Sequence, residues 1–271
     1  MLLKYIYVAI FLLTSIMVNS SFACTRVLYT GNNNIVITAR SMDWKEDQQA
    51  NIWSFPRGIK REGLAGKNSI TWTSKYGSIV TSAYEMSAPD GMNEAGLVAN
   101  VLFLAEAEYV KPIINDPRKP LAISLWAQYF LDNYATVAEA VNDMKHEKFY
   151  IVGTKMPMDS KEAGMHLALS DATGDSAIFE YIDGKLKIYH GKSFRVLTNS
   201  PEYSEQLAIN KYWKEIDRTK FLPGSNRAVD RFVRASFYIE SVPKVDNDTD
   251  GVATALSIIR SMSVPIGIST P

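Results

Sequence analysis

Cys24 is the single cysteine of this 271-residue chain, and the residues before it give it chemical meaning. Lys4 precedes an apolar run over residues 5–18, and Ser21-Phe22-Ala23 closes the stretch with small residues around an aromatic. A charge, an apolar core and an A-x-A-like end are the marks of a secretory signal. Removal of residues 1–23 leaves Cys24 first, with its thiol and a free α-amino group on one residue. A thiolate is a strong nucleophile, and an adjacent amine is a means of activating such groups. The reading is an exported, periplasmic or extracellular amide hydrolase built on an N-terminal cysteine.

Three other readings of Cys24 are weighed. With no second cysteine, an internal disulfide is excluded. A lipid-modified terminus is the second, and it makes the chain an anchored binding module. Such sites usually carry Leu three residues before the cysteine and a small residue two before it, where Ser21 and Phe22 stand here. An inert buried thiol is the third.

Further groups can serve such a nucleophile. Ala39-Arg40-Ser41-Met42-Asp43-Trp44 places a cation, an anion and an indole at the end of a strand that returns beside Cys24. Arg40 near the sulfur favours thiolate over thiol, and Asp43 is expected to accept a hydrogen bond from the α-ammonium. Asn199, in Thr198-Asn199-Ser200-Pro201, is an amide donor suited to an oxyanion hole, or a turn residue before proline. Arg231 and Arg234, three apart on a helix, read by pattern alone as a solvated stripe.

Bulk properties narrow the class. The chain carries 29 basic and 29 acidic residues, so no net field favours nucleic acid or an anionic membrane. After the leader, no apolar run reaches the ~20 residues of a membrane span. His146, His166 and His190 lack metal-ligand spacing, and structural or solvated roles are expected for all three. Neither metal nor cofactor is called for.

The elements that must position these groups alternate in blocks. Residues 25–30 and 34–40 read as a hairpin around Gly31-Asn32-Asn33, followed by strands at 70–73, 78–84 and 97–104. Pro89-Asp90-Gly91 reads as a turn. Apolar residues at 121, 122, 125, 126, 129 and 130 form one helix face, and Thr136 with Glu139 form a capping box for a second helix. Strands follow at 149–152, 165–170, 177–181, 186–190 and 195–198, with Asp183-Gly184 as a two-residue turn. Helices are expected at 205–216, 227–239 and 251–262. This order implies an α+β fold, two antiparallel sheets between layers of helices, in one domain over residues 24–271.

Five segments in order carry a resemblance: Cys24-Thr25-Arg26, Arg40-Ser41-Met42-Asp43-Trp44, Asn93-Glu94-Ala95-Gly96-Leu97, Thr198-Asn199-Ser200-Pro201 and Arg231-Phe232-Val233-Arg234. They are similar to the choloylglycine hydrolase family, the penicillin V acylases and conjugated bile salt hydrolases among the N-terminal nucleophile hydrolases. Residues 126–137 resemble its Gram-negative penicillin-acylase-like branch. The resemblance implies a four-layer αββα fold without cofactor, acting on linear amides of small acyl compounds. It implies Cys24 as nucleophile with its α-amine as proton carrier, flanked by Arg40 and Asp43, with Asn199 as oxyanion donor and Arg231 completing the cluster. It puts a second, backbone donor at Phe103 rather than at Asn100. Trp44 and Phe103 then line an aromatic pocket suited to aryl or fatty acyl groups, ahead of steroid conjugates. Similar family members continue past the point where this sequence stops, through strands with a Thr-x-Trp segment. The resemblance therefore implies a C-terminally truncated fold with an open sheet edge, and an inactive relative is a further reading. It implies a homotetramer where the fold is complete.

Overall fold

The computed structural model describes residues 23–44, 46–111, 115–155 and 162–265. Apart from Ala23, the leader expected over residues 1–23 lies outside the described residues. The chain opens with β1 Ala23–Thr30, β2 Val36–Asp43, β3 Ile52–Phe55, β4 Lys60–Glu62, β5 Thr71–Thr73 and β6 Ser78–Ala83. Next come β7 Ser87–Asn93, β8 Val98–Phe103 and β9 Lys119–Ala122, then helices α1 Trp126–Asn133 and α2 Val137–Met144. Strands β10 Phe149–Val152, β11 Met165–Ser170, β12 Ser176–Ile182, β13 Lys185–His190 and β14 Val196–Leu197 lead to α3 Tyr203–Glu215, α4 Ala228–Ser241 and α5 Asp248–Arg260.

Strand β1 is buried along almost its whole length because it is central in a three-stranded sheet, ordered β14-β1-β2. Its hairpin with β2 turns through Asn33 and Asn34, at φ 52° and 61°, a region asparagine tolerates. The register puts Ala23 opposite Asp43, Cys24 opposite Met42 and Arg26 opposite Arg40. This sheet lies on a seven-stranded antiparallel sheet ordered β13-β12-β11-β8-β7-β6-β3. Helices α1 and α2 cover the far face of the large sheet, and α4 and α5 cover the small one. The layers are helix, sheet, sheet, helix.

Two apolar cores result. One packs Trp126 and Phe130 of α1 against Leu167, Leu169 and Phe179; the other packs Val27 and Leu197 against Phe232 and Ile258. Each fully buried side chain of this size contributes about 1.5–3 kcal/mol. Asp183 and Gly184 form the expected tight turn, at φ 51° and 70°. Thr136 caps α2 by accepting from Glu139 N at 3.2 Å.

Two expectations are corrected. Asp90 and Gly91 lie inside β7, and the turn before that strand falls at Tyr84 and Glu85, both at φ 54°. Gly91 serves close approach: a Cβ there would stand 2.7 Å from both Leu131 Cδ1 and Val80 Cγ1. Residues 121 and 122 belong to β9 rather than to a helix, because Leu121 and Ala122 pair with Ile151 and Val152 of β10. That pairing is parallel and forms a separate two-stranded sheet, while both sheets of the sandwich are antiparallel as expected. Among the described residues no strand pairs with the outer edge of β2. Ile79 and Met92 are neighbours in the ladder, with Ile52 on the same face, and they are 55%, 52% and 78% exposed. They extend the face that the small sheet covers further along.

Candidate active site

The hairpin geometry brings the first pair together. Arg40 Nη2 donates to Cys24 Sγ at 3.4 Å and to the Val101 carbonyl at 3.1 Å. Its Nη1 meets Asp90 Oδ2, a partner on β7 that sequence reading missed. Asn100 Nδ2 in turn donates to Asp90 Oδ1 at 2.8 Å, so Asn100 backs the carboxylate and does not face the cleft. Burial works against the charge on Arg40, but Asp90 and Cys24 outweigh it and raise the guanidinium above its ordinary pKa.

Strand β14 and α4 supply the other side. Cys24 N donates to Asn199 Oδ1 at 2.7 Å, and Arg231 Nη2 donates to the same oxygen at 2.9 Å. Arg231 Nη1 reaches the Cys24 carbonyl and Thr25 Oγ1, the latter at 2.7 Å, while Nε donates to the Asn226 carbonyl at 2.9 Å. Burial draws Arg231 down to about 10, opposed by Cys24 and Asp43. Arg231 and Arg234 are both buried, so the solvated stripe expected from their spacing is corrected. Arg234 Nη1 instead ties down the carbonyls of Pro223 and Ser225.

Asp43 stands beside this cluster; with Ala23 in place the Cys24 nitrogen is a peptide N–H and donates to Asn199. Asp43 accepts from Ser41 Oγ at 3.2 Å and Val264 N at 3.4 Å. Its register partner is Ala23, which occupies the neighbouring position in β1. Burial raises the Asp43 carboxyl above the usual range, against Ser41, Val264, Arg231 and Arg40.

The sulfur borders an open cleft lined by Met42, Trp44, Val101, Phe103, Ile123 and Met165. Its apolar walls suit a small-molecule acyl group. Phe103 also offers its carbonyl, which accepts from Asn199 Nδ2 at 2.8 Å. Ser124, Thr154 and Lys155 add polar groups to the lining. Among the described residues no group of three or more His, Cys, Asp or Glu could hold a metal ion. None of their helices is long and apolar enough to cross a membrane.

A cysteine near the head of a central strand, between two stacked sheets with helices outside, defines an N-terminal nucleophile hydrolase fold. Residues 24–270 match the model of the linear amide C–N hydrolases, choloylglycine hydrolase family, and the chain belongs to that family. It is 49% identical over 270 residues to a penicillin V acylase of Pectobacterium atrosepticum, covering 93% of this chain and 72% of that protein. The structure of penicillin V acylase from Agrobacterium tumefaciens superposes with a TM-score of 0.83 at 55% identity, over 92% of this chain and 75% of the other. A conjugated bile acid hydrolase mutant from Clostridium perfringens shares the fold, at TM-score 0.73 and 22% identity over 88% and 78% of the chains. The chain is thus a hydrolase of linear amides.

Proposed function

We propose that the protein hydrolyses acyl amides of the penicillin V type, with Cys24 as nucleophile. The observation that carries this reading is the contact of Arg40 Nη2 with Cys24 Sγ, 3.4 Å, at the wall of an apolar cleft. The likeness to two penicillin V acylases supports an aryl-bearing acyl group over a steroid conjugate.

In this reading export removes residues 1–23, and the mature protein works in the periplasm or outside the cell. Loss of Ala23 vacates the position opposite Asp43 and leaves a free α-amine there. The α-amine takes the thiol proton and becomes the α-ammonium as the Cys24 sulfur forms a bond to the amide carbon, and the carbonyl π electrons move to oxygen. Asn199 Nδ2 turns from the Phe103 carbonyl to that oxyanion, with the Phe103 main chain alongside. As the C–N bond breaks, the α-ammonium gives its proton to the leaving nitrogen, and a thioester remains. Water, deprotonated by the α-amine, adds to the thioester carbon; the C–S bond breaks, and acid and thiol are released. Arg40 stabilises negative charge on sulfur, Arg231 holds Asn199 and the Cys24 carbonyl, and Trp44 and Phe103 contact the acyl group. The exposed Ile52, Ile79 and Met92 support self-association of the family's tetrameric kind.

The test is a substrate panel of penicillin V, an acyl homoserine lactone and a glycine-conjugated bile salt, read by release of a primary amine. Turnover of penicillin V well above the bile salt is expected. Turnover of the bile salt alone, or of none, contradicts the substrate reading. Light scattering checks the assembly.

A further inference from the structure

We propose that His166, held from behind by Glu180, is a positioning residue for Asn199; the proposal rests on the reading of Asn199 given above. The ladder that carries Asn199 into the site is very short. Strand β14 pairs with β1 only at Val196 and Leu197, so Thr198 and Asn199 lie beyond its last rung. Yet the Asn199 side chain must meet Cys24 N, Arg231 and Phe103 at once. Something other than the sheet has to fix its main chain.

That support is a polar clamp built wholly from buried groups. The side chains of His166, on β11, and Glu180, on β12, are both fully buried. His166 Nε2 lies 2.8 Å from the Thr198 carbonyl oxygen, which only accepts, so this nitrogen carries the hydrogen. His166 Nδ1 lies 2.8 Å from Glu180 Oε1, which fixes the ring from the other side. Glu180 also accepts from Tyr203 N, through Oε2 at 2.9 Å and Oε1 at 3.2 Å, and so ties the start of α3 to the same point. Gln206, one turn into α3, accepts from Thr198 Oγ1 at 3.0 Å and donates to the carbonyls of Asn199 and Pro201. Neither His166, Glu180 nor Gln206 lines the cleft.

Burying an imidazole, a carboxylate and an amide is expensive, and apolar residues of similar volume usually pack as stably. What such a network supplies is one defined position for the groups it holds. The group held here is the main chain on both sides of the amide nitrogen that stabilises the oxyanion. A misplacement of about 1 Å in such a donor costs on the order of 10²-fold in rate.

The test is a double-mutant cycle on release of amine from the panel substrate with the highest turnover. In the native background His166→Leu is expected to lower kcat by about 10²-fold with KM within about twofold. His166→Gln, which keeps a donor toward Thr198, is expected to recover about tenfold of that loss. In the Asn199→Ala background His166→Leu is expected to change kcat by less than about twofold, because the group it positions is gone. Equal fold losses in both backgrounds, or an unchanged kcat in the native one, overturn the proposal. If His166→Leu does not fold by circular dichroism, His166→Gln and Glu180→Gln in the two backgrounds decide by the same criterion. Should Asn199→Ala itself keep native kcat, the reading of Asn199 falls; a crippled Asn199→Ala with independent His166 losses removes the positioning claim alone.

Discussion

The side-chain oxygen of Asn199 lies 2.7 Å from the main-chain nitrogen of Cys24, although 175 residues separate them. That oxygen accepts, while the nitrogen of the same amide donates to Phe103. Asn199→Asp separates the two functions, since a carboxylate keeps the acceptor and loses the donor. It is expected to lower Tm, because the Phe103 carbonyl loses its donor, and to lose about 10²–10³-fold in kcat. A kcat within a few-fold of native would show that the donor is not used.

Asp90 controls Arg40 without reaching the cleft. Asp90→Ala removes the carboxylate that grips Nη1 and leaves Nη2 alone to hold the guanidinium between Val101 and Cys24. A charge-assisted bond of this kind contributes about 1.5–3 kcal/mol. Expected are a kcat loss of roughly tenfold or more and slower alkylation of Cys24 by iodoacetamide, at unchanged KM.

Asp43 has a pKa raised chiefly by burial, so it takes up a proton at higher pH than an ordinary aspartate. In the processed enzyme the α-ammonium beside Asp43 draws its pKa down from that raised position, so activity is expected to fall only as acid protonates this carboxylate, and Asp43→Asn removes this acidic limb together with most of the rate. Stability runs the other way. The folded chain binds this proton more tightly than the unfolded chain, so the Asp43 contribution weakens as pH rises from the ordinary aspartate value through the raised one. In the chain that keeps Ala23, Asp43→Asn is therefore expected to raise Tm at neutral pH, which a melting curve checks, and in the processed enzyme to lower kcat, which an initial-rate profile checks.

Arg231 is held by four acceptors, the carbonyls of Cys24 and Asn226, Thr25 Oγ1 and Asn199 Oδ1. A lysine there keeps the charge but not the fork that reaches them. Arg231→Lys is expected to fold with a lower Tm and little activity. Arg231→Leu leaves buried acceptors unpaired at about 1–3 kcal/mol each, and is expected to fail to accumulate as soluble protein.

The meeting of Cys24 and Arg40 was legible because alternation and an asparagine turn fix a local register, which the β1–β2 ladder follows. Asn199 was legible as an amide at a strand end, though its reach across to Cys24 depends on nonlocal packing. Asp90 was read as a turn because proline, aspartate and glycine are turn formers. The pattern does not show that Gly91 instead makes room for Leu131. Arg231 and Arg234 have the spacing of a solvated stripe, and only the packing of α4 on β1 reveals that they are buried. Parallel pairing of β9 with β10 is equally nonlocal. His166, read as structural or solvated, proves buried between a carboxylate and the main chain of the site.

The most direct test of the nucleophile is peptide mass spectrometry of the purified protein, quenched during turnover of a slow acyl amide. The expected result is a chain beginning at Cys24 with a free α-amine and the acyl group on its sulfur. Turnover by a chain that begins elsewhere, or an acyl group carried on any other residue, would contradict the account.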